Sequence, residues 1–290
     1  MEKLGNGEYM KITLNHIKEL KKNLNIKRDV HILGVRASVS SNYGEWLNEI
    51  EIDSKRIDYE SMACSFIVFK DDKMMILQGS TIPHIKYLTK ALQLNGNGSN
   101  QLECGFYKSY ARGLHYPSEQ TAHQALRQTK AQPIRRSSDN LSFDSKDRIE
   151  IANVHDNIHA AWCNVDGKTH ASAGCQVIAG YPECKKRKNN TSHWKLFHDH
   201  IYSLPENEFN YLLVNYWWLE RTVNKTMKST IIYGSESDQI KKIQHYFHIF
   251  EDGIYLKDTY QHILKFQASH GLVADGIIGE QTLKQIGSLI

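Results

Sequence analysis

The chain lacks a long apolar run and has little net charge, and both features exclude classes of protein. No segment of its 290 residues approaches the ~20 uninterrupted apolar residues that a membrane-spanning helix needs, so membrane insertion is not expected. The formal net charge is +4, whereas proteins that bind nucleic acid usually carry a denser basic patch, so nucleic acid is not an expected partner. A composition of 40% apolar and 23% charged residues is ordinary for a folded globular chain.

Cysteine is scarce and odd in number. The five cysteines are Cys64, Cys104, Cys163, Cys175 and Cys184, and none belongs to a CxxC pair. This pattern argues against a zinc knuckle and against a complete disulfide framework, and it leaves at least one thiol free for chemistry. We expect neither a cofactor nor a metal.

Residues 158–177 hold a histidine and a cysteine in a chemically useful order. His159 lies in an apolar run that is typical of a strand, and Cys175 follows the small residues 172–174. A cysteine attacks acyl groups as its thiolate, so it needs an imidazole to accept its proton and backbone amides to hold the oxyanion. A hairpin turning at Asp166 and Gly167 would bring the two side chains together.

Two other interpretations fit the same residues. Most isolated histidines and cysteines are packed structural residues, so His159 and Cys175 could be core. A zinc peptidase is an enzymatic alternative, with His155, His159 and either His198 or His200 as ligands. The spacing of His155 and His159 suits ligands on a helix, but this segment has the pattern of a strand, where such residues lie farther apart.

The order of His159, a loop, Ser172, Gly174 and Cys175 resembles the motif of the L,D-transpeptidase catalytic domain. The resemblance covers residues 159–177. It implies that His159 deprotonates Cys175, that the amides of Gly174 and Cys175 hold the oxyanion, and that Ser172 supports the turn. The carbonyl of Ala160 would then orient the imidazole.

Two positions depart from that family's motif. Ala173 stands where histidine is usual, and Val177 stands where a polar residue is usual. The change at Val177 removes a candidate contact to a substrate carboxylate. That loss bears on both cleavage and cross-linking of the usual donor stem peptide. We expect hydrolysis, partly because a wall enzyme without an ordinary secretory signal suits a delivered toxin or a phage-type lysin better than a house-keeping cross-linker.

Four further residues are candidates for substrate binding, because loops on a rigid β scaffold commonly carry binding residues. They are Arg112, His115, Trp162 and His170. An exposed loop residue without a role is the alternative for Arg112 and His115. Downstream of them, residues 119–130 have the composition of a helix, with Ser118 as its N-cap.

The remaining pattern predicts an α+β chain. Residues 10–25 indicate an amphipathic N-terminal helix, and short β-branched or aromatic runs from residue 29 onward indicate a mostly-β domain. We divide the chain into an N-terminal helical appendage (1–28), a catalytic domain (29–222), a linker (223–235) and a small C-terminal three-helix domain (236–290).

The C-terminal domain contains an internal repeat with a 23-residue offset, in which Ile243-Gln244 aligns with Phe266-Gln267. Its second copy resembles the peptidoglycan-binding module that ends many cell-wall enzymes. The matching positions are Phe266, Gln267, Gly271, Leu272, Asp275, Gly276, Ile277, Gly279 and Thr282. The first copy is degenerate, with His248 and Leu256 where glycines are usual.

Together the two resemblances imply a peptidoglycan-acting cysteine enzyme that attacks stem peptides through an acyl-enzyme. We expect an L,D-carboxypeptidase or endopeptidase, of the kind delivered as a secreted toxin or lysin. The alternatives are an L,D-transpeptidase or D-amino-acid exchange enzyme, a zinc-dependent peptidase and a non-catalytic wall-binding protein.

The start of the chain bears on where such an enzyme would act. The first eight residues lack the apolar segment and cleavage site of an ordinary secretory signal. We therefore expect synthesis in the cytoplasm and action in the periplasm or cell wall after non-classical secretion or lysis. Peptidoglycan is the expected partner, and an immunity protein or a secretion machinery would fit the same interpretation.

Overall fold

The computed structural model describes residues 9–94, 98–137 and 139–287; residues 1–8 of the expected N-terminal segment lie outside this described part. The strands are β1 (Met10–Thr13), β2 (Ile32–Arg36), β3 (Ser38–Val39), β4 (Trp46–Leu47), β5 (Glu49–Ser54), β6 (Cys64–Lys70), β7 (Lys73–Ser80), β8 (Ser99–Leu102), β9 (Gly105–His115), β10 (His123–Gln128), β11 (Gln132–Ser137), β12 (Arg148–Ala152), β13 (Ile158–Ala160), β14 (Gln176–Ile178) and β15 (Glu208–Asn215). The helices are α1 (Leu14–Asn23), α2 (Ile85–Gln93), α3 (Ser192–Ser203), α4 (Tyr216–Val223), α5 (Asp238–Tyr246), α6 (Lys257–Ser269) and α7 (Glu280–Gly287).

The largest sheet closes on itself. Its strand order is β14-β13-β10-β9-β15-β2-β6-β7-β4, and β14 pairs with β7 as well as with β13. Aromatic rings fill part of the core: Tyr211 stacks on Phe66 at 6.3 Å between centroids and meets Tyr110 edge-on at 5.5 Å. The predicted α+β class, with strands dominating and helices toward the C-terminus, is therefore observed.

Residues 10–25 divide into a strand and a helix. β1 pairs with β5, and α1 packs against α4. Ile12, Ile17 and Leu20 are all buried, so this segment belongs to the core instead of standing apart from it.

The prediction of a helix over residues 119–130 was wrong. Ser118 and Thr121 form a turn through their hydroxyl groups, and His123–Gln128 then continues as β10, antiparallel to β9. His123 pairs with His115 in this register. Residues rich in helix-forming side chains become a strand here because the neighbouring strand offers a complete ladder of hydrogen bonds.

The prediction that His159 and Cys175 lie on the two strands of a hairpin was also wrong. β13 and β14 are neighbours, but they run parallel, with His159 opposite Val177. Parallel neighbours cannot be joined by a tight turn, so residues 161–175 return to the same end of the sheet before β14 begins. The two side chains still come together, as described below.

The C-terminal repeat is built on two equivalent buried glutamines, Gln244 and Gln267. Each donates hydrogen bonds to an aspartate carboxylate, a main-chain carbonyl and a threonine hydroxyl, and accepts one from a glycine amide. The partners are Asp252, Ile254, Thr259 and Gly253 for Gln244, and Asp275, Ile277, Thr282 and Gly276 for Gln267. The residues that repeat in the sequence therefore form the buried hydrogen-bond network of each copy.

The first copy keeps the backbone shape of the second despite its lost glycine. His248 has φ 53°, close to the φ 68° of Gly271 at the matching position. The expected linker, residues 223–235, is packed against the C-terminal domain and the N-terminal segment. Ile231 pairs with Ile278, and the hydroxyl of Ser235 donates to the carbonyl of Leu24 at 2.7 Å.

Within the described residues, no helix combines the length and apolarity that crossing a bilayer requires.

Replacing Gln267 by leucine should destabilise the chain, because its buried partners, among them the Gly276 amide and the Ile277 carbonyl, lose their hydrogen bonds. We expect the free energy of unfolding in urea to fall by about 2–3 kcal/mol. The matched control is Gln261→Leu on the exposed face of the same helix, which should change it by less than about 0.5 kcal/mol. Equal effects of the two substitutions would contradict the role given to Gln267.

Candidate active site

The parallel pairing of β13 and β14 places Cys175 beside His159. The amide of Gln176, the first residue of β14, donates to the carbonyl of Asn157 at 2.9 Å, which fixes the two strand starts against each other. The sulfur of Cys175 and one ring nitrogen each of His159 and His115 lie within 4.8 Å of one another. The proximity of thiol and imidazole expected from the sequence is therefore present.

His159 is held in the tautomer that a general base needs. Its Nδ1 lies 2.8 Å from the carbonyl oxygen of Ala160, and a carbonyl can only accept, so Nδ1 carries the proton and Nε2 carries the lone pair. That Nε2 is buried and has no hydrogen-bond partner among the described residues. Burial, with smaller effects from His115 and His123, lowers the pKa of His159 well below its usual value, so the ring is neutral near pH 7.

The turn before Cys175 is built from Ser172 and Gly174. The hydroxyl of Ser172 donates to the Cys175 carbonyl at 2.7 Å and accepts from the Gly174 amide at 3.3 Å. Gly174 has φ 148°, and a Cβ there would lie 2.0 Å from the side-chain nitrogen of Asn100 and 2.7 Å from a carboxylate oxygen of Asp156. Only glycine fits this position.

A buried carboxyl group lies behind the turn. Asn100 donates to both carboxylate oxygens of Asp156 at 2.7 Å. Burial nevertheless raises the pKa of Asp156 to about 7, with Asn100 opposing the shift. Burial also raises the pKa of the Cys175 thiol, and the charge of Asp156 adds to that effect, so the resting thiol is protonated.

Cys175 and His159 open onto a cavity of about 290 Å³. The residues that line it are Tyr87, His115, Pro117, Thr121, His159, Trp162, Ala171, Ala173 and Cys175. The rings of His115 and His159 stack with centroids 4.1 Å apart and planes 11° apart. Ala173, the position where the L,D-transpeptidase motif usually has histidine, lines the cavity, and His115 brings an imidazole in from β9.

The structure brings two of the four substrate-binding candidates to this cavity, His115 and Trp162. Arg112 lies elsewhere, because its guanidinium donates to the carbonyls of Ile201 and Leu204 at 2.7 and 2.6 Å.

His170 does not line the cavity. It is fully buried and packs edge-on against His84 at 5.0 Å. Burial lowers its pKa to about 3, so its ring is neutral at physiological pH.

Val177 does not line the cavity. It is fully buried in a small apolar cluster with Met62, Ala161, Cys163 and Ala179. The residue that departs from the L,D-transpeptidase motif is therefore part of the packing beneath Cys175.

Three residues of the site were not identified from the sequence. His123 contacts the ring of His159 edge-on at 5.4 Å and the ring of Trp162 at 5.5 Å, but it fell within the expected helix. Asn157 and Asp156 immediately precede β13, and only their position between His155 and His159 could have drawn attention to them.

The described residues contain one group of three possible metal ligands, and it is His115, His159 and Cys175. The expected zinc set is not brought together. His198 hydrogen-bonds to Gln124, and the ring of His200 lies 4.9 Å from that of Trp46.

Two histidines and a cysteine would suit zinc chemically. However, Asn157 donates to Nδ1 of His115 at 3.0 Å, so that nitrogen is occupied. Coordination through the other nitrogen would put a proton on Nδ1, facing the Asn157 amide hydrogens. The hydrogen bonds of His115 therefore do not fit a metal ligand.

The buried carboxyl of Asp156 should make stability depend on pH. Its pKa is raised from 3.8 to about 7, so its contribution to stability is present below pH 3.8 and is lost as the pH rises to about 7. Between pH 5 and 8 we expect the wild type to lose about 2–3 kcal/mol of unfolding free energy through this group. Urea denaturation should show that Asp156→Asn lacks this loss, whereas Asp72→Asn, at an exposed position, retains it. The same pH dependence in both variants would contradict the assignment.

Comparison with known proteins identifies the C-terminal part of the chain. Residues 236–286 match the family described as "Putative peptidoglycan binding domain". Neither the curated proteins nor the solved structures give a match to the chain. The family match confirms the C-terminal module predicted from the repeat: the chain carries a C-terminal peptidoglycan-binding module.

Proposed function

We propose that the chain is a cysteine enzyme that cleaves stem peptides of peptidoglycan, with Cys175 as nucleophile and His159 as general base. The observation that carries the proposal is a thiol within 4.8 Å of an imidazole nitrogen, at the wall of a cavity, in a chain that also holds a peptidoglycan-binding module. The module supplies the polymer, and the cavity accepts a short peptide segment of it.

In the first step Nε2 of His159 takes the proton of the Cys175 thiol while the sulfur attacks the carbonyl carbon of the scissile amide. The sulfur gives up its weak contact with the His155 carbonyl, at 3.5 Å, to do so. A tetrahedral oxyanion forms, the amide C–N bond breaks, and the leaving amine takes the proton from the imidazolium. The product is a thioester on Cys175 and a free amine.

Proton transfer and attack occur together in this mechanism. Burial favours the neutral forms of both Cys175 and His159, so a preformed thiolate–imidazolium pair is not the resting state. The neutral imidazole with its free Nε2 is nevertheless the correct form of a general base. The enzyme should therefore be slow toward simple thiol reagents and depend on substrate binding to bring the reacting atoms together.

In the second step a water molecule loses a proton to Nε2 and attacks the thioester. The tetrahedral intermediate then collapses with cleavage of the C–S bond, the acid product leaves, and the Cys175 sulfur takes the proton back from the imidazolium, which restores the thiol. An amine in place of water would give transpeptidation or D-amino-acid exchange by the same route. Hydrolysis is the proposed outcome, with water as the acceptor of the acyl group.

The module is firmly attached to the rest of the chain, which supports action on a bound polymer. Lys108 of β9 and Arg28 both pair with Glu236 at the start of the module. The buried rings of Tyr233 and Tyr260 meet at 5.7 Å across the same junction. The cavity and the module would therefore approach the wall as one unit.

Incubation with purified sacculi should release altered stem-peptide products, measured by mass spectrometry of the fragments. Cys175→Ala should abolish these products and leave sacculus binding unchanged, because the module is separate from the nucleophile. The matched control is Cys184→Ala, which removes another partly exposed free thiol and should leave the products unchanged. Identical fragment profiles for wild type and Cys175→Ala would exclude this function and leave a wall-binding protein.

The thiol mechanism also predicts insensitivity to chelators. Product release should be unchanged after dialysis against EDTA, because no step uses a metal. It should be blocked by alkylation of Cys175, because alkylation occupies the attacking sulfur. Activity that disappears in EDTA and returns with Zn²⁺ would favour the zinc peptidase instead.

A further inference from the structure

Asn157 fixes the protonation pattern of His115. The side-chain oxygen of Asn157 accepts a hydrogen bond from the Gln128 amide at 3.1 Å, so its NH₂ group must be the end that faces His115. An NH₂ group only donates, so Nδ1 of His115 is the acceptor and carries no proton. The proton of the neutral ring is then on Nε2.

His115 also remains neutral over the physiological range. Burial, with a smaller effect from His123, lowers its pKa to about 4. The stacked rings of His115 and His159 are therefore both neutral but carry opposite tautomers. His159 presents a lone pair at Nε2, and His115 presents an N–H at Nε2.

The site needs a hydrogen-bond donor of this kind. Two amides were expected to hold the oxyanion, those of Gly174 and Cys175. The Gly174 amide already donates to the hydroxyl of Ser172 at 3.3 Å, so the Cys175 amide remains as the backbone donor. Donors that stabilise an oxyanion lie roughly 3 Å from the position it will occupy. A ring nitrogen of His115 lies within 4.8 Å of the Cys175 sulfur, and the oxyanion forms one bond beyond the carbon that the sulfur attacks.

We infer that His115 is a third catalytic residue beside Cys175 and His159, whose Nε2–H donates a hydrogen bond to the oxyanion formed when Cys175 attacks the stem-peptide carbonyl. The inference rests on the proposed function and deepens it. In this arrangement the two stacked rings divide the work: His159 moves the proton, and His115 stabilises the negative charge. No proton leaves His115 during the reaction, so its tautomer is the same before and after turnover.

The tautomer can be measured without turnover. In protein labelled with ¹⁵N-histidine, NMR between pH 6 and 8 should show His115 as the neutral Nε2–H form and His159 as the neutral Nδ1–H form. Assignment uses the variants His115→Gln and His159→Gln. A charged His115 at pH 6, or an Nδ1–H form, would overturn the inference whether or not the chain is an enzyme.

Kinetics separate oxyanion stabilisation from a structural role. His115→Phe keeps a stacking ring but removes the donor, so release of stem-peptide products should fall by about 100-fold or more. His115→Gln places an amide NH₂ near the lost nitrogen and should retain activity within about tenfold of the wild type. His200→Phe, outside the cavity, is the matched control and should leave the rate unchanged.

The rate of alkylation by iodoacetamide distinguishes a structural defect from a lost oxyanion donor, because only a structural defect would lower it. This displacement uses Cys175 and His159 but forms no oxyanion, so His115→Phe should alkylate at the wild-type rate. Parallel losses of alkylation and product release would show that His115 only supports the fold of the site. Product release by His115→Phe at the wild-type rate would overturn the inference alone. If the wild type releases no products, or if Cys175→Ala releases the same products, the proposed function is overturned as well.

Discussion

The hydrogen bond from the Gln176 amide to the Asn157 carbonyl sets the register of β13 against β14, and the site depends on that register. A slip by one residue would turn Cys175 and Val177 to the other face of the sheet. The surrounding contacts hold the same arrangement. Ser172 binds the turn from one side, and the space behind Gly174 is filled by Asn100 and Asp156.

Electrostatics in the site follow from burial more than from charge. Cys175, His159 and His115 are each driven toward their neutral forms, and Asp156 is half protonated near pH 7. Hydrogen bonds then decide where the remaining protons lie. The Ala160 carbonyl fixes the tautomer of His159 and Asn157 fixes that of His115, so one ring carries a lone pair at Nε2 and the other an N–H.

The sequence predicted the local parts of this arrangement and missed the long-range ones. His159 and Cys175 were identified because their motif is short. The C-terminal repeat was identified because the residues of each glutamine network recur in the sequence at the same spacing. The helix prediction over residues 119–130 was wrong because alanine, glutamine and arginine favour helices, whereas the local sequence does not show that the segment pairs with β9. The Asp166–Gly167 turn is present, but it lies within a crossover, since parallel or antiparallel pairing depends on the whole sheet. His115 and Asn157 could not be joined from the sequence for the same reason.

In the proposed mechanism, the Cys175 sulfur carries the acyl group between the two steps. Acid-quenched reactions with a purified stem peptide, analysed by intact mass and peptide mapping, test it most directly. We expect a wild-type adduct with the mass of the acyl fragment, located on Cys175 and released by hydroxylamine as a thioester would be. Turnover without any adduct on Cys175, or an adduct on another residue, would contradict it.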